Sequence, residues 1–219
     1  MKKLTLVAAI VATAFAAGAN AATTTASVNI TGKITPSSCT ISSTGTGGTI
    51  DFGTIKTSEL TNAKISKRKS GNISVNCDND TTAIIKVSGG NGLSADKSRF
   101  STDKNFVDYI VYLKDISVTG GNAASTILVP TNTDAAVEVE NLAATTFQKL
   151  GSGASAAFPI NGVYFGIANS SSPNSVGTFR TLNATVDVLA QIDRDAAKAA
   201  TSQSEQTFSS VVNFELNYI

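Results

Sequence analysis

Histidine and tryptophan are both missing from this sequence, and each absence removes a class of function. Without imidazole, a serine or cysteine nucleophile has no histidine base to activate it, and no histidine-ligated zinc site can form. Without tryptophan, and with only four tyrosines, the exposed aromatic platforms on which sugars stack are poorly supplied. Charge is scarce and balanced, with 17 Lys and Arg against 16 Asp and Glu. Such a balance gives no basic field to draw a nucleic acid or an anionic membrane. The glycine cluster at residues 44–48 is followed by neither the helix nor the lysine of a phosphate loop. Asp78-Asn79-Asp80 lacks the later ligands of a calcium loop and reads as a turn.

Two carboxylate pairs remain, Glu138 with Glu140 and Asp193 with Asp195. Each pair shares a strand face, as a glycosidase pair would, but in polar surroundings that leave both groups ionised. They read as solvated faces. No catalytic residue, no metal ligand and no cofactor is assigned.

What is present begins with a leader. Lys2 and Lys3, an apolar run over residues 4–17 and the small-residue site Ala19-Asn20-Ala21 predict a signal peptide over residues 1–21. The run is shorter than the roughly 20 apolar residues of a membrane span. In an exported chain, two cysteines favour a disulfide, Cys39 to Cys77. The loop it closes is worth roughly 3–4 kcal/mol in the chain-entropy model.

Residues 22–34 open the mature chain with Ala26, Val28, Ile30 and Ile34 alternating with polar residues and Gly32 interrupting the row. Period-two alternation predicts a strand, and no turn signal folds it back onto the next segment. Beyond it, Ile50, Phe52 and Ile55 can face a core, and residues 64–70, polar and basic, read as a surface turn. Residues 72–77 and 82–87 read as two strands, and residues 106–118 as a central strand covered on both faces. Residues 126–129, 137–139, 163–167 and 179–192 are further strands. Residues 193–206 are polar and alanine-bearing, with one helical turn outside the core. The last segment, 210–219, places Val212, Phe214, Leu216 and Tyr218 on one inward side. About eight to ten short strands, with no convincing amphipathic helix, predict a one-domain antiparallel β-sandwich.

Several of these features together resemble a known family. The arm Val28-Asn29-Ile30-Thr31-Gly32-Lys33-Ile34 ahead of a first cysteine, the segment Ile50-Asp51-Phe52-Gly53, a second cysteine at a strand end, and a closing alternating strand with a penultimate tyrosine are similar to chaperone-usher pilus subunits of the major-subunit type. The resemblance implies an all-β, incomplete immunoglobulin-like β-sandwich over residues 35–219, with an N-terminal donor-strand extension over residues 22–34. It implies a structural, non-enzymatic subunit of a surface fimbria that polymerises by donor-strand exchange and contributes to cell adhesion. Its partners would be neighbouring pilus subunits in a homo- or hetero-polymer, a periplasmic chaperone, an outer-membrane usher, and a host or surface receptor. Its route would run through the periplasm to the cell surface. The donor residues would be Ala26, Val28, Ile30, Gly32 and Ile34. Val212, Phe214, Leu216, Tyr218 and Ile219 would form the acceptor groove and chaperone contact. Residues 120–153 are longer than the family carries and leave room for an insertion. The alternative is a self-contained secreted sandwich that binds carbohydrate.

Overall fold

The computed structural model describes residues 38–44, 48–131, 145–150, 155–158 and 163–219. The predicted leader, the arm, the strand at residues 137–139 and the Glu138/Glu140 pair lie outside the described residues, as does much of the 120–153 segment. The chain is all-β and antiparallel. Its strands are β1 (Cys39–Thr44), β2 (Lys64–Gly89), β3 (Phe100–Ser101), β4 (Val107–Thr119), β5 (Ala123–Pro130), β6 (Phe147–Lys149), β7 (Ala156–Phe158), β8 (Val163–Asn169), β9 (Thr178–Asp193) and β10 (Val212–Tyr218). A 3-10 turn, Thr57–Glu59, precedes β2, and a helix, α1 (Arg194–Thr201), follows β9.

The organising element is β2, which serves two layers. Its first part pairs with β9 from Lys64 opposite Asp193 to Asn76 opposite Thr181, and with β1 from Cys39 opposite Cys77 to Thr44 opposite Asn72. An irregularity between Asn76 and Thr81 re-aims it, as an added residue in a strand does. Its last residues then pair with β10 on one side and β8 on the other. One layer is thus built on β1, β2, β9 and β4, and the other on β10, β2, β8, β5 and β6. Their inner residues meet in one core. Ile73 and Val75 of β2, Val111 and Leu113 of β4, and Leu182 and Ala184 of β9 pack with Ile85 and Val87 of β2 and Phe165 and Ile167 of β8. This is the two-layer arrangement of an immunoglobulin-like sandwich.

The alternation in β9 survives intact: Leu182, Ala184, Val186, Val188, Ala190 and Ile192 are all buried. The run in β8 is buried on both faces. Its outer side joins Ile84, Leu128 and Phe147 in a second small cluster with Tyr164 and Ala168. Between β4 and β5, Gly121 takes a φ of +64°, and a Cβ there would meet Thr178 O at 2.2 Å. Only glycine makes that turn.

Four expectations are corrected. Residues 64–70 are strand: they open β2 and pair with β9 throughout. The charges that suggested a turn are carried on the sheet, with Lys67 Nζ 2.6 Å from Glu59 and Arg68 against Asp187. Residues 72–77 and 82–87 belong to this same strand. The strand expected to be central, β4, has only β9 as a long neighbour, with two-residue β3 and three-residue β7 on its other side. Its second face is half open, Ile110 and Tyr112 being half-buried. Residues 194–201 form two turns of helix rather than one. Asp193 caps it, accepting from Ala196 N–H at 2.9 Å, and the burial of Ala197 together with the packing of Ala196 and Ala200 makes one face part of the core.

Candidate functional site

The site is a groove of about 980 Å³ between residues 48–55 and residues 205–214. Its floor is the inner face of the first layer, including Val186, Val188, Ala190 and Ile192 of β9 with Val107 of β4. These are aliphatic and buried, so the floor offers contact area and no charge. Asp51 and Glu205 stand at the rim, both exposed.

One wall is residues 48–55, which fall in no helix or strand. It is held by Ile50, Phe52 and Ile55, half-buried side chains packed on the core. Gly71 lets Ile50 approach β2, for a Cβ there would lie 3.2 Å from Ile50 Cγ1. Asp51 Oδ1 accepts from Gly53 N–H at 2.8 Å and sets a turn in which Gly53 has a φ of +65°.

The other wall is the approach to β10 and its first residues. Among the described residues β10 pairs with β2 alone, Val212 opposite Gly89 through Tyr218 opposite Ala83. Val212, Phe214 and Leu216 are half-buried against the core, while Asn213 and Glu215 are exposed. The inward alternation read from the sequence is present, but Tyr218 does not join it: Tyr218 and Ile219 are each 50% exposed. The Tyr218 hydroxyl instead accepts from Cys39 N–H at 2.8 Å. Cys39 and Cys77 form the disulfide between β1 and β2.

Sequence reasoning missed the group that fixes this wall. Ser210 Oγ lies 2.9 Å from the Tyr109 hydroxyl, and its one proton has Asn91 Oδ1 at 2.9 Å and Ser101 O at 3.0 Å as alternative acceptors. Ser209 N–H donates to Asp103 Oδ1 at 2.6 Å, and Asp103 N–H returns a bond to Ser209 O at 3.0 Å. Burial pushes the Tyr109 phenol above its ordinary value, against the bond from Ser210. The available signal was a tyrosine in a core row, since a buried hydroxyl needs a partner. Phe208, which meets Phe52 across the groove at 6.0 Å between ring centroids, carried no such signal.

An all-β sandwich whose strand β10 has β2 as its one partner among the described residues, beside an apolar groove, defines the class of β-protein. The chain belongs to the Spore Coat Protein U domain family, whose model matches residues 24–201. This is a family of chaperone-usher fimbrial subunits, so the chain is a fimbrial-like subunit, and the family implies a cell-surface fimbrium and assembly partners. No curated protein matches the chain. Among the described residues no helix is long and apolar enough to cross a membrane.

Proposed function

We propose that this chain is a structural subunit that polymerises by donor-strand exchange, contributing to a surface fimbria and to cell adhesion. The groove accepts an extended strand, held first by a periplasmic chaperone and then by the arm of a neighbouring subunit at the usher. The donor residues are Ala26, Val28, Ile30 and Ile34, with Gly32 where the main chain passes close. The domain order is a signal peptide over residues 1–21, the arm over 22–34 and the sandwich over 35–219.

The observation that supports this reading is the combination of a β10 edge unmatched among the described residues with an aliphatic floor. Strand addition uses both: main-chain bonds to the edge and alternate side chains in the groove. An apolar edge left bare invites aggregation. Burying Val28, Ile30 and Ile34 contributes roughly 5–10 kcal/mol before ordering costs. The test is deletion of residues 22–34 in cells that supply the chaperone and usher. Loss of detergent-resistant ladders is expected, and their persistence would show that the arm is not the donor.

A further inference from the structure

The two walls of the groove touch. Phe52 comes from the unpaired wall and Phe208 from the wall leading into β10. Both line the groove and both are half-buried against the core. Their rings lie 6.0 Å apart between centroids, tilted by 48°, an arrangement aromatic pairs favour. At that separation no side chain fits between them. A strand laid along β10 sends alternate side chains toward the floor, and one that runs on past Val212 toward residue 208 meets the ring pair.

The two sides differ in how firmly they are held. Phe208 is followed at once by the anchored Ser209 and Ser210, tied to Asp103 and Tyr109. Among the described residues, residues 50–55 make no main-chain bond to a neighbouring strand. Next to Phe52 stands Gly53, around whose Cβ position nothing lies within 4 Å. Among the described residues the Phe52 side is held by side-chain packing rather than by main-chain bonds to a strand, and the glycine beside Phe52 is suited to a backbone change.

We propose that Phe52 and Phe208 form an aromatic clasp across the groove, which an incoming strand must open, so that this contact sets the rate of strand uptake. The proposal rests on the reading of the groove as a strand acceptor and adds its control. Opening the clasp is a local change in one wall rather than in the fold.

The test is the rate at which the purified secreted chain takes up a fluorescently labelled synthetic peptide of residues 22–34. It compares the unaltered chain with Phe52→Leu, Phe208→Leu and the double variant, leucine being chosen to keep the core filled. Each single variant is expected to take up peptide roughly 2- to 10-fold faster, the range that the energies of aromatic pairs imply. The double variant should be no faster than the quicker single, because either change opens the same contact. Unchanged rates, or single gains that multiply in the double variant, overturn the clasp and leave strand acceptance standing. Failure of the unaltered chain to take up any peptide overturns the acceptor reading and the gate with it. A second measurement does not depend on rates: nuclear Overhauser contacts between the two rings should be present in the free chain and lost with peptide bound. Their absence in the free chain, or their persistence in the complex, also overturns the clasp.

Discussion

Cys39 N–H donates to the hydroxyl of Tyr218 at 2.8 Å, so the end of the last strand is tied to the residue that opens the first. The same cysteine is bonded to Cys77 of β2. Tyr218 also pairs with Ala83 of that strand, so both strands flanking β2 are joined through one residue. Tyr218→Phe removes the bond and keeps the ring. Because the ring is half exposed, solvent can replace the partner, and the expected loss is about 0.5–1.5 kcal/mol. Urea denaturation measures it, and faster amide exchange at Cys39 locates it.

Replacing Cys39 and Cys77 together by serine should cost more. The bridge spans 38 residues in sequence, for which chain entropy gives roughly 3–4 kcal/mol. The denaturant midpoint of the double variant, against the oxidised chain, reads this directly. A change below about 1 kcal/mol would mean that the bridge does not restrict the unfolded ensemble as chain entropy requires.

Stability should fall in acid through Asp187. Its carboxylate is fully buried on the outer side of the first layer, with Arg68 Nη1 at 2.5 Å, Lys114 Nζ at 3.1 Å and Ser70 Oγ at 2.9 Å. Desolvation pushes its pKa up, but bonds from Arg68, Lys114 and Ser70 outweigh that and hold it below the ordinary value. A carboxyl depressed in the folded state takes up its proton more readily when unfolded. The stabilisation is therefore fully present above the unfolded pKa of about 3.9 and is lost as pH falls through the folded value. Asp187→Asn should cost about 1–3 kcal/mol at neutral pH. That is less than an enclosed pair would lose, because Arg68 is half exposed. It should also flatten the pH dependence below pH 4. Thermal melts from pH 7 to 2 on both chains check the sign and the window.

The parts of the fold that were legible in the sequence are those where one periodicity governs one environment. β9 alternates because one face meets the core, and β8 is a continuous run because both faces are covered. The start of β2 was hidden because its charged side chains find partners on other elements, Glu59 for Lys67 and Asp187 for Arg68. A local reading cannot supply those. α1 was read as one turn outside the core because its buried face is made of alanines, which give a weak apolar signal. In the groove, the β10 row was legible by alternation. The pinning of Ser209 and Ser210 by residues about a hundred positions away was not, since it is set by tertiary contact alone.

Tyr164 offers a substitution expected to cost nothing. The ring is fully buried in the small outer cluster, and among the described residues its hydroxyl has no hydrogen-bond partner. Lys86 Nζ lies 5.6 Å from the ring centroid, a contact that phenylalanine would retain. Removing an unsatisfied buried hydroxyl relieves its desolvation penalty. Tyr164→Phe should be neutral or stabilising by up to about 1 kcal/mol, read from the denaturant midpoint. A loss above that would mean the hydroxyl is partnered from residues outside those described.

Val212 and Asn213 are neighbours on β10 that face opposite ways, and they make a paired test of the groove. Val212 is half-buried against the floor and Asn213 is exposed. A carboxylate at Val212 would be shut from water by an arriving strand, at a cost no nearby cation offsets, since the floor is aliphatic. Val212→Asp should therefore weaken binding of a peptide of residues 22–34 by at least about tenfold, or roughly 1.4 kcal/mol. The free fold should lose about 1 kcal/mol, because the position is only half covered. Asn213→Asp adds the same charge one residue along and on the solvent side, and should leave both quantities within about 0.5 kcal/mol. Fluorescence anisotropy for the peptide and thermal melts for the chain separate the two effects. Equal losses in the two variants would mean that charge alone governs binding and that the inward alternation of β10 has no part in it.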